Sequence, residues 1–489
     1  MFKINFWEDY FRESLFILLL LSFSFFIILF NSDNEYFSAS LVILLLILGC
    51  FLLIKSVSRL SAKKNYGEVF VIIGFLFWYI IPANINILAN EEPISDEINL
   101  NVESNLVIIV LISIIIFILF WRISYSLFLG TEKASSSRSN TLSVPAILRI
   151  SIAGIIIGLL PFIYDGGSVT QIFSAIFEGR AAEKAWLTTS NIGTEKSAYL
   201  YLINSLFYAS LTIIWISVLT DSLTLRKKVI FLLIASFATL IVYFDQGTRS
   251  IFGMIVFPFI FLFIIRKWEV LKQSKIGRLK FLVTIFVIMF SAFLLFQFQL
   301  LYRLVYSRTD LQSLIFSNWL TLGGTSDFFS ETLLAFSIVP AAHDYFHESV
   351  LLQFLVSPIP RFIWESKPLP ELVWYYSQHR WGVDIYAIGG NTFPGIIGYY
   401  YMSWGWIGIA FIGSLFGFVS AQIDNVLKKI DFFKDIYQTG IILMFIIWLF
   451  LSFRNLSPGF LYPVLFAYGI LKISSFIQTR NSSFENCPR

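Results

Sequence analysis

Charge is what this sequence has least of. Asp, Glu, Lys and Arg make up 13% of its 489 residues, against roughly 25% in a soluble domain. Disordered chains and nucleic-acid-binding domains need a large solvated charge, so both classes are excluded. Cysteine is nearly missing: Cys50 lies in an apolar run and Cys487 close to the C-terminal end. Two thiols so placed build neither a disulfide framework nor a zinc site. The only histidines are His343, His347 and His379. No HExxH pattern and no third ligand accompany them, so no metal and no cofactor is expected. Internal repeats and matched halves are lacking as well. What is abundant is apolar: 57% of the chain is hydrophobic and 18% aromatic, with 54 phenylalanines. The sequence reads as an all-α polytopic membrane protein.

A bilayer core of about 30 Å takes roughly 20 apolar residues per helix. On that measure about 12 transmembrane helices fall near 14–30, 37–54, 68–89, 104–121, 144–163, 197–220, 228–244, 249–265, 280–301, 394–422, 437–453 and 457–477. No small-residue cleavage site follows the run Ser14 to Phe30, so it reads as a retained span. Segments 160–180 and 389–400 are the places where a short re-entrant piece fits. Lys and Arg crowd the loops 55–67, 122–143, 226–228, 266–280 and 423–436, whereas 31–36 and 90–103 contain none. That alternation places both termini in the cytoplasm. The chain then divides into residues 1–301, with nine spans and short loops, a large external loop at 302–393, and residues 394–489, with three spans and a tail.

The basic residues divide unequally by type. The expected outer side holds three lysines (Lys184, Lys196, Lys367) and seven arginines (Arg180, Arg249, Arg303, Arg308, Arg361, Arg380, Arg454), while lysine is the commoner inside. Topology gives no reason for that preference. The planar arginine fork binds phosphate oxygens in pairs and keeps its charge at any physiological pH. The alternative is structural, with Arg held by Asp327, Glu331, Asp344 or Glu348. Three places carry the stronger signal. In Asp245-Gln246-Gly247-Thr248-Arg249-Ser250 a tight turn sets Arg249 at a helix N-terminus, where anions are already attracted; a plain hairpin reads the same way. In Ser357-Pro358-Ile359-Pro360-Arg361-Phe362-Ile363-Trp364-Glu365-Ser366-Lys367-Pro368, prolines fix the backbone around Arg361 and Lys367; an interfacial lipid anchor is the other reading. In Gly389-Gly390-Asn391, glycine permits close approach of backbone to a ligand.

His343 and His347 lie four residues apart, a spacing that would share one helical face. An imidazole near neutral pKa can take a proton from a sugar hydroxyl, and His379 beside Arg380 is a further candidate. For each histidine a structural role is the competing reading.

In these features the chain resembles the O-antigen polymerase (Wzy-type) family. The resemblance rests on the twelve-span layout and the large outer loop before the last three spans. It rests also on the Gly247-Thr248-Arg249 turn, the run from Pro360-Arg361 through Trp364 to Lys367-Pro368, and Gly389-Gly390-Asn391. It covers residues 200–470 in motifs. The resemblance implies a GT-C-like fold and a metal-independent glycosyltransferase of the bacterial inner membrane, active in lipopolysaccharide or similar polysaccharide biosynthesis. Its substrate would be oligosaccharide repeat units on undecaprenyl diphosphate, joined at the outer face. Its partners would be that substrate, membrane lipid and a chain-length regulator protein, with no nucleic acid. By that resemblance Arg249 and Arg361 bind the diphosphate, joined by Arg303, Lys367 and Arg380. The acceptor base comes from His343, His347, Asp327 or Glu331, and sugars meet Trp374, Tyr375 and Asn391. Two rival readings remain: an O-antigen ligase, which shares the donor chemistry, and a lipid-linked oligosaccharide flippase or transporter.

Overall fold

A computed structural model describes residues 65–83, 104–130, 143–164, 195–246, 249–271, 328–347, 371–382, 393–456 and 458–485, with scattered positions between 274 and 294 and between 355 and 366. The spans expected at 14–30 and 37–54, and most of the one at 280–301, lie outside the described residues. Among the described residues every regular element is helical. The helices are α1 (Tyr66–Phe75), α2 (Ser104–Phe128), α3 (Val144–Tyr164), α4 (Glu195–Ser217), α5 (Leu225–Gln246) and α6 (Arg249–Leu271). They continue as α7 (Phe328–Ile338), α8 (Glu371–Trp381), α9 (Gly395–Lys429), α10 (Ile436–Leu451) and α11 (Pro458–Glu485). Among the described residues, five helical stretches are long and apolar enough to cross a bilayer: Tyr66–Ala83, Leu106–Phe128, Ser250–Trp268, Gly395–Lys429 and Gly459–Gln478. The protein is an all-α membrane protein.

Hydrophobicity alone gives helices in lipid no reason to associate, because the acyl chains are equally apolar; close packing and hydrogen bonds must do it. The α2–α9 interface shows how. Gly413 and Gly417 are four residues apart on α9 and bring its backbone against α2. A Cβ at Gly413 would lie 2.6 Å from the Phe117 carbonyl, and one at Gly417 would overlap that of Trp121. Around this contact Phe117, Phe416 and Phe453 meet edge to face, with centroids 5.0 to 5.9 Å apart.

Helix α9 is not one straight rod. Trp404 (φ −139°, ψ 17°) and Gly405 (φ 60°, ψ −143°) leave helical geometry, and the Gly405 pair of angles is open essentially to glycine alone. A continuous helix would hold residues 396 and 416 about 30 Å apart. Here both touch Phe453: the Ile396 N–H donates to its carbonyl at 3.0 Å, and the Phe416 ring lies 5.0 Å from its ring. Gly408 likewise abuts the Tyr400 carbonyl. The chain therefore reverses at 404–405, and a short arm, 395–403, runs back beside the long arm. The span expected at 394–422 is two helices, and the glycines after 400 serve the turn and the packing.

Helix α7 is the second surprise. It falls inside the segment 302–393, expected as a soluble loop, yet ten of its 11 residues are buried. It lies alongside the short arm: Thr332 Oγ1 donates to the Pro394 carbonyl at 3.1 Å, and Phe336 stacks on Tyr401 at 3.5 Å. A π-helical turn, Leu76–Ile80, follows α1 and sets Tyr79 against both. The Ile397 N–H donates to the Tyr79 hydroxyl at 3.1 Å.

Candidate functional site

Helix α8 is built to dock, not to cross. Its i, i+4 pairs Leu372–Tyr376 and Val373–Ser377 are buried, while Glu371, Gln378 and His379 are exposed. On the buried side the Tyr376 hydroxyl donates to the Glu331 carboxylate and also reaches the Glu331 carbonyl at 2.9 Å. Arg380, one turn on, donates from Nε to the other carboxylate oxygen of Glu331 at 3.3 Å. Glu331 sits in the first turn of α7, where the helix end favours negative charge. Burial, reinforced by the Glu331 carboxylate, pushes the Tyr376 hydroxyl well above the usual phenol range, so it keeps its proton and donates.

The other face of α8 gathers two of the three histidines. His343 stacks on Phe346, centroids 4.1 Å apart and nearly parallel, and both pack against Tyr375, with His343 4.6 Å from its ring. His379 approaches the same ring at 4.2 Å. His343 Nδ1 lies 2.6 Å from the Asp344 carbonyl, and His379 Nδ1 lies 3.1 Å from the Tyr375 carbonyl. A carbonyl only accepts, so in each ring the neutral form carries its proton on Nδ1 and presents the Nε2 lone pair. That is the form a general base needs.

Residues 325–482 match a domain of unknown function, DUF8712. No curated protein and no solved structure matches the chain. The DUF8712-like segment contains α7, α8, both arms of α9 and α10, and therefore the whole of this cluster; it excludes Arg249 and Arg303.

Of the residues singled out in the sequence, the structure brings Glu331, Arg380, His343, Tyr375 and the half-buried Trp374 together around α8. Glu331 and Arg380, expected as base and phosphate ligand, are paired with each other, which is the structural alternative raised for the arginines. His343 and His347 do not share a helical face. Residues 343–347 are non-helical, and His347 has φ 52° and an N–H bonded to the Ser403 carbonyl at 2.9 Å. Arg303, Asp327, Arg361, Lys367 and Asn391 lie outside the described residues, as does the side chain of Arg249, whose backbone opens α6. Among the described residues no group of three His, Cys, Asp or Glu side chains could hold a metal ion.

Sequence reasoning missed a second polar cluster at the far end of α9's long arm. The buried Asp424 accepts the N–H groups of Gly67 at 2.6 Å and Glu68 at 3.2 Å, so a carboxylate from α9 caps the start of α1. Tyr125 of α2 donates to the same carboxylate at 2.8 Å. Glu68, fully buried, pairs with Arg122 and accepts from Asn65 at 3.1 Å. The span limits drawn at 121 and 422 had put Arg122 and Asp424 in loops. Both helices run on past those points because each charge meets its partner inside the bundle.

Proposed function

We propose that the protein is a polysaccharide polymerase, a twelve-span GT-C-like glycosyltransferase that joins oligosaccharide repeat units carried on a polyprenyl diphosphate. The observation that carries this reading is the pair of imidazoles on the Tyr375 ring. Each offers an Nε2 lone pair on the face of α8 opposite the Glu331–Arg380 pair, at a short docked helix rather than a span. In the reaction an acceptor sugar hydroxyl attacks the anomeric carbon of the growing chain. The C1–O bond to phosphate breaks, the lipid diphosphate leaves with the electron pair, and the hydroxyl proton passes to a base. His343 or His379 takes that proton. Glu331, already accepting from Tyr376 and Arg380, is retired from that role and becomes an anchor for α8. Arg249, Arg303, Arg361 and Lys367 bind the diphosphate on this reading, with the loop 302–393 on the periplasmic side of an inner membrane. A preset donor of this kind contributes about 10²–10³ in rate.

Purified protein in lipid, given polyprenyl-diphosphate repeat units of its host with no metal and no other acceptor, should yield a ladder at repeat-unit spacing. His343→Gln or His379→Gln should abolish the ladder without loss of folded protein, and Arg361→Lys should weaken it. Ladder formation unaltered by both histidine variants would defeat the assignment of the base. Transfer only after a lipid acceptor is added would make the protein a ligase.

A further inference from the structure

The segment that carries His343 is tied at its other end to the reversal of α9. The turn at Trp404–Gly405 ends the short arm early and exposes its last carbonyls. Two of them are taken up by the connector after α7: the Phe346 N–H donates to the Met402 carbonyl at 3.0 Å, and the His347 N–H to the Ser403 carbonyl at 2.9 Å. The Tyr345 ring lies over Gly405, where a Cβ would come within 3.2 to 3.3 Å of it, and meets Tyr401 edge to face at 6.0 Å. Phe346, fixed by its main chain, then stacks on the His343 ring at 4.1 Å. An unbroken path of contacts thus runs from the backbone of Gly405 to the imidazole.

We infer that the reversal at Gly405 is a positioning device for His343, with Gly405 and Phe346 as positioning residues for the proton transfer. The inference rests on the polymerase reading for its chemistry, but its geometry stands apart from it. A straight continuation of α9 would leave Met402 and Ser403 bonded within the helix, and the connector would lose both anchors. Any side chain at Gly405 both strains the backbone and crowds the Tyr345 ring. Phe346→Leu is the milder change: it keeps both main-chain bonds and removes only the stacking surface.

The test uses the full-length protein in lipid with isotopically labelled histidine. Three imidazole signals are expected, each assigned by a His→Gln variant. In Gly405→Ala and in Phe346→Leu the His343 signal should move toward that of free histidine while that of His379 stays in place. In the ladder assay kcat should fall about tenfold to a hundredfold with KM nearly unchanged, the pattern of a misplaced reacting group. If Gly405→Ala does not fold, Phe346→Leu decides alone. An unmoved His343 signal, or a moved one with unaltered kcat, would overturn the inference. A wild-type protein that makes no ladder would overturn the reading of function instead, and the imidazole signals would still decide whether the reversal places His343.

Discussion

Asp424→Ala tests whether polar groups or apolar packing tie α1 to α9. The carboxylate accepts three donors, Gly67 N–H at 2.6 Å, Glu68 N–H at 3.2 Å and Tyr125 Oη at 2.8 Å, and the residue has no exposed surface. Tyr125 has a second acceptor in reach, Glu68 Oε2 at 3.4 Å, so its hydroxyl is re-satisfied by a small turn. The two main-chain N–H groups have no such choice, because α1 begins there and Asn65 makes no side-chain cap to them. A buried donor left unmade costs about 1–3 kcal/mol. Relief of repulsion between Asp424 and Glu68 returns part of that, for a net loss of about 3 kcal/mol. Asp424→Asn keeps one acceptor oxygen and should lose about half as much. Thermal unfolding of detergent-solubilised protein, followed by tryptophan fluorescence, should order the melting points as wild type, Asn, Ala. An Ala variant melting with the wild type would show that the aromatic packing of Phe75 on Phe453, which in turn meets Phe416, holds the helices without help, and the capping argument would fail.

Gly417→Leu should prevent folding, because its Cβ already overlaps the Trp121 carbonyl, whereas Gly469→Leu, with no neighbouring atom within 4 Å, should be tolerated; the yield of monodisperse protein reads both. Arg380→Met should destabilise by about 3–5 kcal/mol, since it strips a buried carboxylate of its cation, and Glu331→Gln in the same chain should recover part of that loss in a double-mutant cycle. The Arg266 guanidinium, bonded to Asp221 at 2.6 Å, holds that carboxyl below its usual range. This contribution is therefore full above the unfolded pKa of about 3.9 and is lost as pH falls through the lower folded value. Because the Asp221 side chain is 82% exposed, Asp221→Asn should change stability by less than about 1 kcal/mol at pH 7, and the difference should vanish in melts at strongly acid pH.

The helices were legible wherever composition alone decides them. Runs such as 104–121 and 437–453 are too apolar to be anything but buried helix, and they appear as parts of α2 and of α10 with its C-terminal turn. What hydropathy could not carry was the direction of the chain. Residues 395–403 and the first part of 406–429 form one run without a charged residue, so nothing in a window average marks a reversal. The signal was local: Trp404-Gly405 sits in a glycine-spaced run, and only the backbone angles show which glycine turns. α7 escaped for a different reason. At 11 residues it is far below spanning length, and its Glu331 looks like a surface charge until Tyr376 and Arg380 are placed against it. The i, i+4 spacing of Tyr376 and Arg380 on α8 was visible in the sequence, but their common partner was not. The histidines show the limit of spacing arguments most plainly. His343 and His347 are four apart and separate, whereas His343 and His379 are 36 apart and share one ring.

None of the elements that form the candidate site could stand alone in a bilayer. α7, α8 and the short arm of α9 are each about half a span or less, and a short helix end buried in protein leaves main-chain groups that only neighbouring protein can satisfy. Both ends of the short arm are closed by protein. Phe453 and Tyr79 take the first N–H groups of the short arm, Thr332 donates to the carbonyl before it, and Phe346 and His347 donate to the carbonyls at its tip. Glu331 follows the same rule, since a carboxylate at the start of a buried helix persists only with its donors, and Tyr376 and Arg380 of α8 are two of them. The three short helices are thus mutually required, and all lie within residues 325–482, the stretch that matches the DUF8712 model. Long spans such as α2 supply the wall against which this unit closes. The chemistry proposed here belongs to the interlocked part, where a change in one short helix is felt by the imidazoles of another.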